Sequence, residues 1–189
     1  MAGKRKTRKK YNPRKQHRIS GEMNLIHYMQ AKNCNDDLPQ GYINDYGAVI
    51  DALIDDLRFG RFTRQGFLMF SEITHFYGHL LLHLRPMRFS EDEQENLLLK
   101  LTLSTRLDFL TDTLQVALTA MTERFDKIGR FVATGEDLKL LERFRKEFIE
   151  TLGFIRQRDF MAAYDESERV LRECPHRTGR FKEMKGAAQ

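Results

Sequence analysis

Tryptophan is absent from the 189 residues, cysteine occurs twice and proline four times. Two thiols, Cys34 and Cys174, make neither a disulfide framework nor a four-thiolate zinc site, and both suit a reducing compartment. Long apolar runs are missing too. None approaches the roughly 18 to 20 residues that a membrane helix requires, and the basic first 18 residues have no apolar stretch of the secretory type behind them. The expectation is one soluble intracellular domain with tails, cytoplasmic, or nuclear if the source is eukaryotic, with no membrane partner. Alternating period-two patterns, the mark of half-buried strands, are also lacking, which predicts an all-α fold.

What is abundant is charge, and it is segregated. Residues 1–19 carry Lys4, Arg5, Lys6, Arg8, Lys9, Lys10, Arg14, Lys15 and Arg18 and no acid, although the whole chain is only +5. Without those nine, the remainder holds 23 basic and 27 acidic side chains. A second cationic stretch, 176–189, contains Arg177, Arg180, Lys182 and Lys185 against Glu183 alone. An acidic body with basic ends grips a polyanion through its ends or through local patches.

The arm 1–19 has little to bury and is expected to be disordered by itself. Ser20 then reads as an N-cap for a short helix from Glu22 to about Asn33, with Met23, Leu25, Ile26 and Met29 at helical spacing. After a loop rich in Asn, Asp, Pro and Gly, a second helix is predicted from about Asn44 to Phe59 on Val49, Ile50, Leu53, Ile54 and Leu57. Thr63 can cap a third, ending at Leu84 before Pro86 and apolar nearly all round, which marks it as the centre of the core.

Ser90 and Glu93 match a capping box for a helix from about 91 to 128, and Leu138 to Glu173 reads as one more, with Gly153 as a kink. Two helices of about 38 residues, each about 57 Å, joined by a short connection between Gly129 and Gly135, predict an antiparallel hairpin. The expected organisation is therefore a basic arm at 1–19 and a helical domain at 20–175, followed by the tail 176–189. Within the domain, 20–88 forms three shorter helices and 90–174 the long hairpin of a helical bundle. Leu, Phe and Met on several faces of the hairpin predict a homodimer.

Three groups of residues carry candidate chemistry. The nine arm cations, with Tyr11 as a ring able to stack on a base, suit phosphate contacts on RNA or DNA; nuclear import or solubility are the plainer uses of such an arm. The stretch Arg58-Phe59-Gly60-Arg61-Phe62-Thr63-Arg64 interleaves guanidinium groups with rings at a helix junction. Arg58, Arg61 and Arg64 could stack on exposed bases, or Gly60 could simply end a helix with the Phe rings packed inward and the Arg side chains solvated. Gly-Arg-Phe recurs at 129–131 and 179–181, at spacings too uneven for an internal repeat, which suggests one helix-ending solution used again. Third, Glu72, His75, His79 and His83 form a row on the third helix with some of the spacing of a metal site, but the second Glu-x-x-His, Glu173 to His176, is interrupted by Pro175. A polar seam against the following helices fits the row better, and no metal or cofactor is expected.

There is no phosphate-binding glycine loop, nucleophile elbow or paired-thiol motif, so an enzyme is the least favoured class. The reading that results is a non-enzymatic accessory protein binding nucleic acid or a nucleoprotein complex, its arm on phosphates and its helical body on proteins. The alternative is a protein-interaction module or inhibitor, of a kind found in phages and plasmids, that dimerises through the hairpin and blocks a partner's nucleic-acid site.

Overall fold

A computed structural model describes residues 34–173. The basic arm, the helix expected at 22–33, the tail 176–189 and the third Gly-Arg-Phe lie outside the described residues. The described chain is predominantly helical: α1 Gln40–Arg58, α2 Arg64–Leu84, α3 Glu93–Asp108, a π-helical segment Phe109–Leu114, α4 Gln115–Ile128, α5 Gly135–Leu152 and α6 Gln157–Glu173. Among these residues there is no strand beyond an isolated bridge between Asp37 and Arg156.

α2 lies at the centre, as its apolar circumference predicts. Phe70, Phe76, Tyr77, Leu80, Leu81 and Leu84 are buried, and α6, α3 and α1 pack around it while α5 pairs with α1. Thr63 caps it, its hydroxyl accepting from Gly66 N–H at 3.1 Å. Tyr77 Oη and Thr151 Oγ1 are 3.0 Å apart, and the Arg106 guanidinium donates to the same Thr151 oxygen at 2.6 Å and to Glu150 at 2.7 Å. One buried threonine thus joins α2, α3 and α5, and its hydrogen bonds offset the cost of enclosing polar groups.

Several boundaries differ from the sequence reading. α1 starts four residues early, directly after Pro39, whose fixed φ suits a helix entrance, so Gly41 belongs to the first turn rather than to the loop. Asp92 and not Ser90 caps α3. Its carboxylate accepts from Gln94 N–H at 2.8 Å, whereas Ser90 Oγ accepts from Asp92 N–H. A charged acceptor makes the stronger cap. The helix from 93 to 128 is interrupted by the π segment, whose wider turn re-phases the faces before and after it.

The largest correction concerns the hairpin. Its second arm is not one helix from 138 to 173: the chain leaves helical geometry after Leu152 and resumes at Gln157. The break is stabilised from elsewhere in the chain, because Leu38 N–H donates to the Ile155 carbonyl, Gln157 N–H to the Asp36 carbonyl and Arg158 N–H to the Cys34 carbonyl, at 2.9 to 3.1 Å. Backbone groups freed by the break therefore find partners in 34–38. α6 folds back onto α2 instead of following α3 and α4.

The bundle has two distinct ends. At one, the break at 153–156 meets residues 34–38 and the α2–α3 connection, with Phe89 and Phe154 rings 6.2 Å apart. The junctions α1–α2 and α4–α5 meet at the other.

Candidate nucleic-acid interface

Two of the three Gly-Arg-Phe tripeptides build this second end. Gly60 follows α1 at φ +68° and Gly129 follows α4 at φ +76°, the left-handed conformation that lacks steric cost only for glycine. Each turn then drives its Phe inward. Phe62 and Phe131 meet edge to face at 5.4 Å, and Phe131 also stacks on Phe67 at 5.1 Å and on Phe125 at 4.4 Å. The common helix-ending geometry is as the sequence suggests; that the two turns lock onto each other is an addition from the structure.

The contact gathers cations from separate parts of the chain. Arg58 is engaged by Asp55 at 2.6 Å and Glu142 at 2.8 Å. Arg61 lies 3.2 Å from Asp56 and over the Phe59 ring at 5.1 Å. Arg64 sits over the Phe125 ring at 4.8 Å. To these the fold adds Lys127 and Arg130, both exposed and both absent from the sequence-based site. Among the described residues Arg64, Lys127 and Arg130 have no carboxylate within ion-pair distance, so their charge is offered to solvent. Phe59 is 64 % exposed beneath the Arg61 guanidinium, while Phe62 is in the core. The seven-residue stretch thus divides its duties: Phe62 packs inward, Arg58 and Arg61 are ion-paired at the surface, and Arg64, without a carboxylate partner, and Phe59 remain exposed.

From this end an open groove of about 810 Å³ runs between α2 and the stretch 107–126. Its lining is largely apolar, including Leu68, Leu82, Leu110, Leu114 and Leu118, with Leu171 of α6 at one edge. Gly78 lets α2 approach the π-helical segment closely, since a Cβ there would stand 3.3 Å from the Leu110 side chain.

Glu72, His75 and His79 line the groove wall, with the two imidazoles edge to face at 4.6 Å. His83 has turned away to α6, where its Nε2 is 3.9 Å from Asp159 Oδ1. The row is therefore divided between a groove and a helix interface, and among the described residues no group of three His, Cys, Asp or Glu side chains is arranged to hold a metal. Tyr46 and Tyr77, whose phenols burial pushes up to about 12, are packed among core rings. No described helix is long and apolar enough to cross a membrane. Comparison with protein-family models, curated proteins and solved structures finds no match to the chain.

Proposed function

We propose that the protein binds nucleic acid, alone or within a nucleoprotein complex, as a non-enzymatic accessory factor. In this reading arm residues 1–19 neutralise phosphates, and the bundle end that carries Arg61, Arg64, Lys127 and Arg130 makes a second contact. The observation that carries it is the Phe62–Phe131 packing, which brings cations from two helix junctions 69 residues apart to one end of the bundle, where the Phe59 ring is exposed under Arg61. Guanidinium planes and an exposed ring stack on unpaired bases, and such stacking is worth about 1–3 kcal/mol per base.

The test is purification without nuclease, then binding of a duplex and of a single strand at low salt. Replacing Arg61, Arg64 and Arg130 together by Ala should weaken single-strand binding by about tenfold to a few hundredfold, taking one or two stacked bases as lost. Duplex binding should fall less. Equal losses on both substrates would reduce this end to a phosphate contact, and a protein that binds neither would remove the proposal.

A second reading, a protein-interaction module that dimerises and blocks a partner's nucleic-acid site, draws on α3. Leu97, Leu98 and Leu101 are each more than 60 % exposed there, on adjacent turns. Contiguous exposed leucine suits a protein interface. Light scattering at micromolar concentration should then give a dimer, and the pair Leu98→Glu and Leu101→Glu should give a monomer. A monomeric parent chain would remove this reading.

A further inference from the structure

We infer that the outer face of α3 is covered by α3 of a second copy, packed antiparallel about a two-fold axis between Leu97 and Leu98, with Glu93 of each copy beside Lys100 of the other. The inference rests on the dimer of the second reading and names its contact and direction.

The face itself asks for cover. α3 carries leucine all round: Leu103 is buried and Leu99 and Leu107 are half-buried, whereas Leu97, Leu98 and Leu101 stand 63–68 % exposed. A helix that is apolar on every side is ordinarily enclosed on every side. At 3.6 residues per turn the three outward leucines fall within an arc of about 100°, and Thr105 lies in the same arc. The threonines of this face add no unmet hydroxyl, because Thr102 Oγ1 donates to the Leu98 carbonyl and Thr105 Oγ1 to the Leu101 carbonyl, both at 2.9 Å. Their burial therefore orphans no donor.

Charge selects the occupant and its direction. The first turn of α3 is acidic, with Glu93 and Glu95 behind the Asp92 cap, while from Asn96 to Leu107 the charged residues are Lys100 and Arg106. Arg106 turns inward to Glu150, at 2.7 Å. Among the described residues Lys100 has no carboxylate within ion-pair distance, and neither Glu93 nor Glu95 has a cation. An acidic half followed by a cationic half complements itself when the helix is reversed, which is why a second copy fits this face.

The register follows from the same residues. Glu93 and Lys100 are seven residues apart, about 10.5 Å, so they share one rim of the leucine face yet stand too far apart to pair within a helix. A two-fold axis at right angles to both helices brings like rim to like rim and sets Lys100 of each copy near Glu93 of the other, the reciprocal pattern of an isologous contact. Leu97 and Leu98 then meet across the axis. A parallel pair would instead press the two acidic first turns together.

The consequence concerns valence. α3 runs through the π segment into α4 without a loop, so Gly129 lies about 31 residues, or up to about 47 Å, beyond the axis. The two-fold sends the Gly-Arg-Phe ends of the two copies in opposite directions, up to about 90 Å apart, and one dimer offers that end twice.

The test uses the full-length chain with Cys34 and Cys174 replaced by Ser, treated with nuclease so that nucleic acid cannot join copies, and reads dimer dissociation by sedimentation equilibrium. Lys100→Glu and Glu93→Lys should each raise the dissociation constant about tenfold, since two ion pairs are lost and like charges face each other, and the two changes together should return it to within about threefold of the parent value. Leu98→Cys should oxidise to a disulfide-linked dimer, whereas Val116→Cys, equally exposed on α4, should not. Single variants that dimerise as tightly as the parent, a double variant no tighter than the weaker single, or linkage through Val116→Cys alone would overturn the pairing while leaving the second reading with a dimer of another kind. A parent chain that is monomeric at micromolar concentration removes both, and a benzophenone amino acid at Leu101 that cross-links within its own chain would then assign the face to residues 1–33 or 174–189. A dimer that pairs as expected and binds nucleic acid keeps the inference and loses only the blocking role.

Discussion

Phe131→Ala should lower the unfolding free energy by about 3–5 kcal/mol, the usual cost of emptying a buried Phe site. Domains of this size are commonly stable by only about 5–15 kcal/mol, so the fall is a large share of the total. The size follows from what Phe131 touches. It is buried against Phe62, Phe67 and Phe125, three rings from α1–α2, α2 and α4, and each aromatic pair adds about 0.5–1.5 kcal/mol beyond area burial. Collapse of the site is limited because both turns are held by backbone hydrogen bonds, Gly60 N–H donating to the Leu57 carbonyl and Gly129 N–H to the Phe125 carbonyl. Urea unfolding followed by circular dichroism should show a lower midpoint with an unchanged slope, the signature of lost stability without a changed denatured state. Phe59→Ala is the internal control: that ring is exposed, and its removal should change stability by no more than about 0.5 kcal/mol. A loss below about 1 kcal/mol at Phe131 would mean that the two junctions are held together by something other than this ring cluster.

The features legible in the sequence are those decided within one or two helical turns. Thr63, the apolar circumference of 64–84 and the stop before Pro86 define α2 locally, and the structure has the same helix. Gly60 and Gly129 announce left-handed helix ends because no other residue takes that conformation without strain. Asp92 was legible in principle, two residues beyond Ser90, but a hydroxyl and a carboxylate in neighbouring positions compete on strength, which a motif match ignores.

The features missed depend on partners distant in the chain. Gly153 alone signals a bend, yet a full break needs acceptors and donors for the released backbone, and those come from 34–38, over a hundred residues away. Without that pairing the 138–173 periodicity reads as continuous. The π segment is hidden for a different reason: Leu107, Leu110, Leu114 and Leu118 keep their three-four spacing through it, so the apolar pattern stays the same while the turn widens.

The candidate site has the same division. Arg58, Arg61 and Arg64 stand out as a cluster, and Asp55, one helical turn before Arg58, is visible in sequence as a neutralising neighbour, whereas Asp56 meets Arg61 across the helix end, five residues on. That Glu142 takes the other side of Arg58, and that Lys127 and Arg130 join the cluster, follows only from the Phe62–Phe131 contact. The one available clue was the repeated tripeptide, since identical turn chemistry at two junctions is compatible with their meeting but does not require it.

Deleting residues 2–18 should remove most of the salt dependence of duplex binding. Each phosphate neutralised releases condensed counterion and adds about −0.9 to the slope of log affinity against log salt, so the nine arm cations set a ceiling near −8. Partial engagement makes about −4 to −5 the expected value for the full chain, equivalent to a loss of roughly 300- to 1,000-fold in affinity between 50 and 200 mM salt. The bundle end with the two Gly-Arg-Phe turns can supply little, because Arg58 and Arg61 are already committed to carboxylates and the cations left at that end are Arg64, Lys127 and Arg130. Three phosphates bound that end's share of the residual slope at about −3, and about −1 to −2 is expected from it, a loss of only some four- to sixteenfold over the same salt range. Helicity and melting temperature should be unchanged, since a stretch so rich in charge and so poor in apolar residues adds nothing to a core. If the slope survived the deletion, the phosphate contacts would lie on the body. The ion pairs at Arg58 and Arg61 would then have to open on binding, and exchanging Asp55 and Asp56 for Asn should strengthen it.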